Sequence, residues 1–201
     1  TINVSDESPC QPLTMVVRST LMMSPSLSAY GPGTPWQMTS LTLVQQLLGF
    51  ARPKPLRVRP MHLAPIIKEM FVLFEHQISQ QGIRTAFQCS EDLPEIMADQ
   101  DQIQQVLFNI TLNALQAMPR GGSLTIRANR TIRRQQREDP LKDQYLKVEI
   151  ADTGPGIPLE DQTQLFQRFY QGKMGKKYSV STGLGLYLCR QIAQAHQGEI
   201  T

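Results

Sequence analysis

The chain has 201 residues, 40% hydrophobic but only 6% aromatic, so it can bury one substantial core built mainly from aliphatic side chains. Its formal net charge of +3 is too small to mark nucleic acid as the main partner and leaves any anionic ligand to local placement of charge. Three scattered cysteines (Cys10, Cys89, Cys189) in no metal-ligand spacing read as reduced thiols of a cytoplasmic protein, and apolar runs as short as Met70–Phe74 give this segment no membrane span and no signal-peptide pattern.

In chain order, residues 1–38 read as a linker or disordered tail, with at most one short element near the apolar Leu13–Val17 or Leu21–Met23, because chain breakers concentrate in SPSLSAYGPGTP between Ser24 and Pro35. A short helix is expected over Thr39–Phe50, with Leu41, Val44, Leu47 and Leu48 on one face; Pro53, Pro55 and Pro60 stop it. The globular part starts near Met61. Ile66, Ile67, Met70, Phe74 and Ile78 predict a helix over Leu63–Gln81, ended by Gly82. Alternation predicts strands at Ile83–Cys89 and around Glu95–Ala98. Asp99 precedes Gln102 by three, a capping-box spacing that opens the next helix, and Gly121-Gly122 closes that region. Paired strands follow at Ser123–Ile132 and Tyr145–Ala151, joined by a charged, solvated loop. A short helix near Gln162–Tyr170, a Lys/Gly/Ser loop and a helix from Leu184 to His196 complete the reading. Strands in adjacent pairs exclude a regular βαβ alternation. The pattern fits an α/β two-layer sandwich, with a mixed sheet on one side and helices on the other.

Three stretches can carry chemistry. The helix QVLFNITLNALQAM (Gln105–Met118) places Asn109 and Asn113 one turn apart on a flank between apolar stripes. They form either a solvated polar strip or two amide oxygens aimed at a hydrated cation or polar ligand. Asp152-Thr-Gly-Pro-Gly-Ile157 follows an apolar strand. It is either an ordinary strand-exit turn or a carboxylate that accepts from an exocyclic amine such as adenine N6, beside glycines that let the backbone come close. Ser181-Thr-Gly-Leu-Gly-Leu186 opens the last helix, where Thr182 and free N–H groups can meet an anion, with Lys173, Lys176 and Lys177 just upstream. It is not a Walker A loop, since no Gly-Lys-Ser/Thr follows at the right spacing.

Taken together and in this order, the motifs resemble the catalytic ATP-binding domain of sensor histidine kinases, within the GHKL (Bergerat-fold) ATPases. Asn109-x-x-x-Asn113 is similar to the N box and Asp152-x-Gly-x-Gly156 to the G1 box. Leu165-Phe-x-x-Phe169 is similar to the F box and Gly183-Leu-Gly-Leu186 to the G2 box. QLLGFARPKP and NALQAM look most like the nitrogen-sensor type. The resemblance implies ATP and Mg²⁺ as cofactors, with Asn113 coordinating Mg²⁺ and Asn109 supporting the same site as the catalytic pair. It implies that Asp152 binds adenine, with Gly154, Gly156 and Ile157 shaping the nucleotide wall. Phe166 and Phe169 would anchor a lid from which Lys176 or Lys177 reaches the phosphates. Thr182, Gly183, Leu184, Gly185 and Leu186 would border the triphosphate.

By the same resemblance, residues 39–60 are the remnant of a second dimerisation helix and its linker, and 61–201 the catalytic domain, lacking its last strand or strands. The implied partners are a histidine-bearing dimerisation domain and a response regulator, and the implied parent is a homodimer. No phospho-acceptor histidine is found: His62, His76 and His196 lack the H-box context. Two alternatives stand beside the kinase reading. One is a nucleotide-sensing module that has lost phosphotransfer. The other is a hydrolytic member such as a topoisomerase or mismatch-repair ATPase, which would place Glu where Asn109 stands.

Overall fold

The computed structural model describes residues 13–18, 55–90, 93–132, 144–171 and 182–201. In chain order the elements are β1 (Leu13–Arg18), β2 (Arg59–Met61), α1 (Leu63–Gln81), β3 (Ile83–Cys89), β4 (Ile96–Ala98) and α2 (Gln100–Ala117). They are followed by β5 (Gly122–Ile132), β6 (Gln144–Asp152), α3 (Leu159–Gln162), α4 (Gly185–Ala195) and β7 (Glu199–Ile200).

Alternation in β5 and β6 fixes which face of the sheet is buried. Leu124, Ile126 and Ala128 of β5, and Leu146, Val148 and Ile150 of β6, all point into the core. Their neighbours Arg127, Asn129, Lys147 and Glu149 lie on the other face, where Lys147 Nζ meets Glu149 Oε1 at 2.7 Å. A one-residue slip would turn the whole set around, so burial holds the antiparallel register that pairs Ile126 with Ile150. β3 pairs in parallel with β5, from Ile83 opposite Gly122 to Cys89 opposite Ala128. A parallel pair needs a crossover, and α2 supplies it. β2 and β4 form a separate two-stranded ribbon in which Pro60 lies opposite Met97, an edge position where a missing N–H is tolerated.

Helices α1, α2 and α4 cover the buried face. Ile103, Val106, Leu107, Ile110, Ala114 and Leu115 of α2 are buried in the common core with Ile66, Ile67 and Met70 of α1 and Cys189, Ile192 and Ala193 of α4. α1 stops where expected: Gly82 takes the left-handed conformation (φ 66°) and its N–H returns to Ile78 O and Ser79 O. The two-layer α/β sandwich with a mixed sheet is therefore the observed fold.

The five-stranded order is β3-β5-β6-β1-β7. β1 lies within the stretch expected to be linker or tail, yet it pairs antiparallel with β6 from Leu13 opposite Ile150 to Arg18 opposite Tyr145. Its other side pairs with β7, Met15 opposite Ile200 and Val16 opposite Glu199. The composition of residues 1–38 hid this strand because six residues are too short to show a period amid so many breakers. The helix expected near Gln162–Tyr170 is also displaced: α3 spans Leu159–Gln162 and successive turns follow it. The expected helix over Thr39–Phe50 lies outside the described residues.

Candidate nucleotide site

Helix α2 is the spine of the site. Asp99 caps it, its Oδ1 accepting from the Gln102 N–H at 3.3 Å, as the sequence spacing foretells. The second half of that cap comes from elsewhere: the Asp99 N–H donates to His196 Nε2 at 3.0 Å, and His196 Nδ1 lies 2.8 Å from Ile192 O. His196 is therefore the tautomer with its proton on Nδ1, buried, with both ring nitrogens engaged. It ties the end of α4 to the start of α2.

Asn109 and Asn113 differ in environment. Asn109 is only 3% exposed and lies against the fully buried Cys189 of α4, whose thiol donates to Val106 O at 3.8 Å. Burial pushes that thiol up to about 12, an effect the Asn109 contact partly opposes. The start of α4 packs on the same residue: a Cβ on Gly185 would sit 3.8 Å from Asn109 Cγ. Asn113, one turn on, is exposed. One further turn along the same flank, Ala117 meets the Asp152 turn, where a Cβ on Gly154 would come within 3.0 Å of Ala117 Cβ and 2.7 Å of Asp152 Oδ1. At 1.5 Å rise per residue, the contacts of Asn109 and Ala117 are about 12 Å apart along α2. The exposed amide of Asn113 stands between them.

At the Asp152 end, β6 delivers a half-buried carboxylate whose Oδ1 accepts from the Gly154 N–H at 2.8 Å. That Asx-type turn leaves the second oxygen for other donors. Thr153 extends the pairing with β5, its N–H donating to Ser123 O and its Oγ1 accepting from the Ser123 N–H. Gly156 is left-handed (φ 73°), and Ile157 is exposed beside it.

At the other end, α4 begins at Gly185 with Leu184 as its N-cap residue, no side chain capping it and no acidic residue in its first turn. The first N–H groups of a helix lack intrahelical partners and carry the positive end of its dipole, so this end suits an anion. Thr182 and Leu186 are half-buried and Leu184 is buried. Phe166 packs against the core under the Arg190 guanidinium (5.7 Å), whereas Phe169 is 63% exposed. Lys176 and Lys177 lie outside the described residues.

The structure thus brings Asn109, Asn113, Asp152, Gly154 and Gly185 along one flank of α2. A family model described as "Histidine kinase-, DNA gyrase B-, and HSP90-like ATPase" matches residues 98–201. The chain belongs to this ATPase family. Among members of the family, it is 34% identical to the adaptive-response sensory kinase SasA of Synechocystis sp. over 143 residues, covering 71% of this chain and 34% of that kinase. The catalytic domain of histidine kinase ThkA superposes with a TM-score of 0.55 at 29% identity, covering 70% of this chain and 82% of that domain. ThkA in complex with response regulator protein TrrA matches with a TM-score of 0.57 at 26% identity, over 78% of this chain and 40% of that one. These matches bear out the resemblance to the sensor histidine kinase ATP-binding domain. The chain spans about a third of the length of the curated relative SasA.

Sequence reasoning missed three features: the His196 link to Asp99, the β1 strand, and a hydrogen bond from Tyr170 Oη to Asp161 Oδ1 at 2.7 Å. None has a local signal, because each joins residues through the fold.

Proposed function

We propose that this chain is the ATP- and Mg²⁺-binding catalytic domain of a sensor histidine kinase. In this reading it holds ATP so that its γ-phosphoryl group can pass to a histidine on a separate dimerisation domain. The observation that carries the reading is the placement of exposed Asn113 midway between the Gly185 and Asp152–Gly154 contacts on α2. The residues fit the cofactors. A side chain at Gly154 would crowd Asp152 Oδ1 and Ala117 Cβ, α4 presents an uncapped N-terminus, and Asn113 offers a hard amide oxygen suited to a magnesium ion that keeps most of its waters.

Each residue then has a task. Asp152 accepts from the adenine amine with the oxygen that Gly154 does not use. Gly156 and Ile157 form the wall beside the base. Gly183, Gly185 and the first N–H groups of α4, with Thr182, take the phosphates, while Lys176 or Lys177 adds positive charge. Asn113 holds Mg²⁺, and buried Asn109 fixes α2 against α4 so that Asn113 and the phosphate end keep their spacing. Bound Mg·ATP supplies the phosphoryl group and neutralises its charge; the protein contributes placement. An amide at Asn109, where a hydrolytic relative would carry a carboxylate, supports transfer to histidine over transfer to water.

Buried and doubly hydrogen-bonded, His196 is no acceptor, which supports an acceptor on another domain. The pairing of ThkA with a response regulator supports such a protein as the next partner. The reading carries with it a homodimeric parent, attached to a membrane or not, that keeps this domain on the cytoplasmic side. No described helix is long and apolar enough to cross a membrane. The nitrogen-sensor subtype rests on the wording of residues 46–55 and 113–118 alone.

Titration with Mg·AMP-PNP tests the reading: saturable binding is expected, and none by the folded chain overturns it. Asp152→Asn keeps an oxygen for Gly154 but presents a donor to the base, so affinity should fall about tenfold. Adding a sensor-kinase dimerisation domain with ATP should label its histidine; binding without labelling would favour a nucleotide-sensing module.

A further inference from the structure

The segments 165–171 and 182–184, on either side of the residues not described, touch through main chain. The Phe169 N–H donates to Gly183 O at 3.0 Å. A Cβ on Gly183 would lie 2.6 Å from Phe169 C and 2.7 Å from Tyr170 O, so the two backbones pass as close as only a glycine allows. Gly183 is left-handed (φ 67°), and so is Phe169 (φ 63°), a conformation an aromatic residue keeps only when its surroundings hold it. Gly183 leads directly into Leu184 and the first turn of α4.

The Tyr170 side chain, next to this backbone contact, is tied to Asp161. Asp161 is only 6% exposed. Its own main chain is fixed by the short α3 turn, its N–H donating to Pro158 O at 2.9 Å and its carbonyl accepting from the Gln164 N–H at 3.0 Å. Its Oδ1 accepts from Tyr170 Oη at 2.7 Å. A buried carboxylate with a hydroxyl donor at this distance is a strong, directional anchor. The Tyr170 hydroxyl is held above its usual range, first by this hydrogen bond and then by desolvation and the charges of Asp161 and Glu160. The direction is consistent with the geometry: a raised value favours the protonated hydroxyl, the form that donates to Asp161. Arg168 adds a second link, its guanidinium lying 5.4 Å from the Tyr187 ring of α4 and 5.9 Å from the Phe169 ring.

We infer that the Asp161–Tyr170 pair is a positioning device for the phosphate end of the nucleotide site: it fixes the backbone against which Gly183 packs, and so sets where the first turn of α4 lies. In this inference both act as positioning residues, through the backbone beside Gly183, and not as nucleotide ligands. This inference rests on the nucleotide-binding reading above.

The test compares Mg·AMP-PNP affinity and thermal melting of the 201-residue chain with those of three variants. Tyr170→Phe removes the donor and keeps the ring; Asp161→Ala removes the acceptor; Asp161→Asn keeps one acceptor oxygen. Tyr170→Phe and Asp161→Ala should each weaken binding about tenfold, the worth of one charge-assisted hydrogen bond. Asp161→Asn should restore affinity to within about threefold, and adenosine, which lacks phosphates, should bind all four proteins alike. Unchanged AMP-PNP affinity in Tyr170→Phe overturns the inference. So does an affinity loss that tracks a fall in Tm, or one shared by adenosine, since either would mark a merely structural contact. If the unsubstituted chain binds no Mg·AMP-PNP, the nucleotide reading fails and this inference with it.

Discussion

The two ends of the site are built on different principles. The Asp152 end hangs from a strand whose nine residues all pair with β5, and the atoms crowding Gly154 belong to side chains, Asp152 Oδ1 and Ala117 Cβ. The Gly183 end, among the described residues, is a main-chain contact between two turns, and the atoms crowding Gly183 are backbone atoms of Phe169 and Tyr170. The Asp152 end thus inherits its rigidity from the sheet, while the Gly183 end must make its own through a few contacts. The Asp152 carboxylate, the nearer of the two groups crowding Gly154, can rotate aside and a backbone cannot, so the second end should tolerate change less.

The largest effect should separate these ends. Gly183→Ala meets backbone at 2.6 Å with a left-handed φ, and should cost about 2–4 kcal/mol of stability with at least a tenfold loss of AMP-PNP affinity. Gly154→Ala, opposed by side-chain atoms at 2.7 and 3.0 Å, should cost about 1–2 kcal/mol. Thermal melts and calorimetric titration decide the order; equal losses would erase the contrast. Between the ends, Asn109→Ala should lower stability by about 1–3 kcal/mol because it removes a buried side chain on which α4 packs. Asn113→Ala, on an exposed position, should leave stability within about 0.5 kcal/mol yet cut Mg·AMP-PNP affinity about tenfold or more. A stability loss at Asn113 as large as that at Asn109 would break the division of roles. The smallest effect is a difference in reactivity. With its thiol pushed up to about 12 and fully buried, Cys189 should resist iodoacetamide at pH 8, while exposed Cys89 reacts; peptide mass mapping reads both.

Much of this was legible along the chain. The Leu63–Gln81 helix, its Gly82 stop, the Asp99 cap and the β5–β6 pair are written in local periodicity and turn chemistry, and local forces suffice to form them. Asn109 and Asn113 were legible as a pair but not as different from one another. Their separation into buried and exposed depends on where α4 lies, which no residue on α2 encodes. The same holds for His196, which looks like an unremarkable residue after a helix until Asp99, 97 positions away, donates to it. Long-range hydrogen bonds leave no trace in spacing.

β1 carries a consequence for assembly of the fold. It is the earliest described strand in chain order, yet it lies between β6 and β7, two of the latest, and among the described residues it is the only strand that pairs with β7. β3, β5 and β6 can associate through α2 and a hairpin, closures of modest length. Seating β1 requires a loop of more than a hundred residues to close, a non-local step slower than the pairings among β3, β5 and β6. Until then one side of β6 offers unpaired N–H and C=O groups, the kind of edge at which a chain still folding can capture an extended segment of a neighbour.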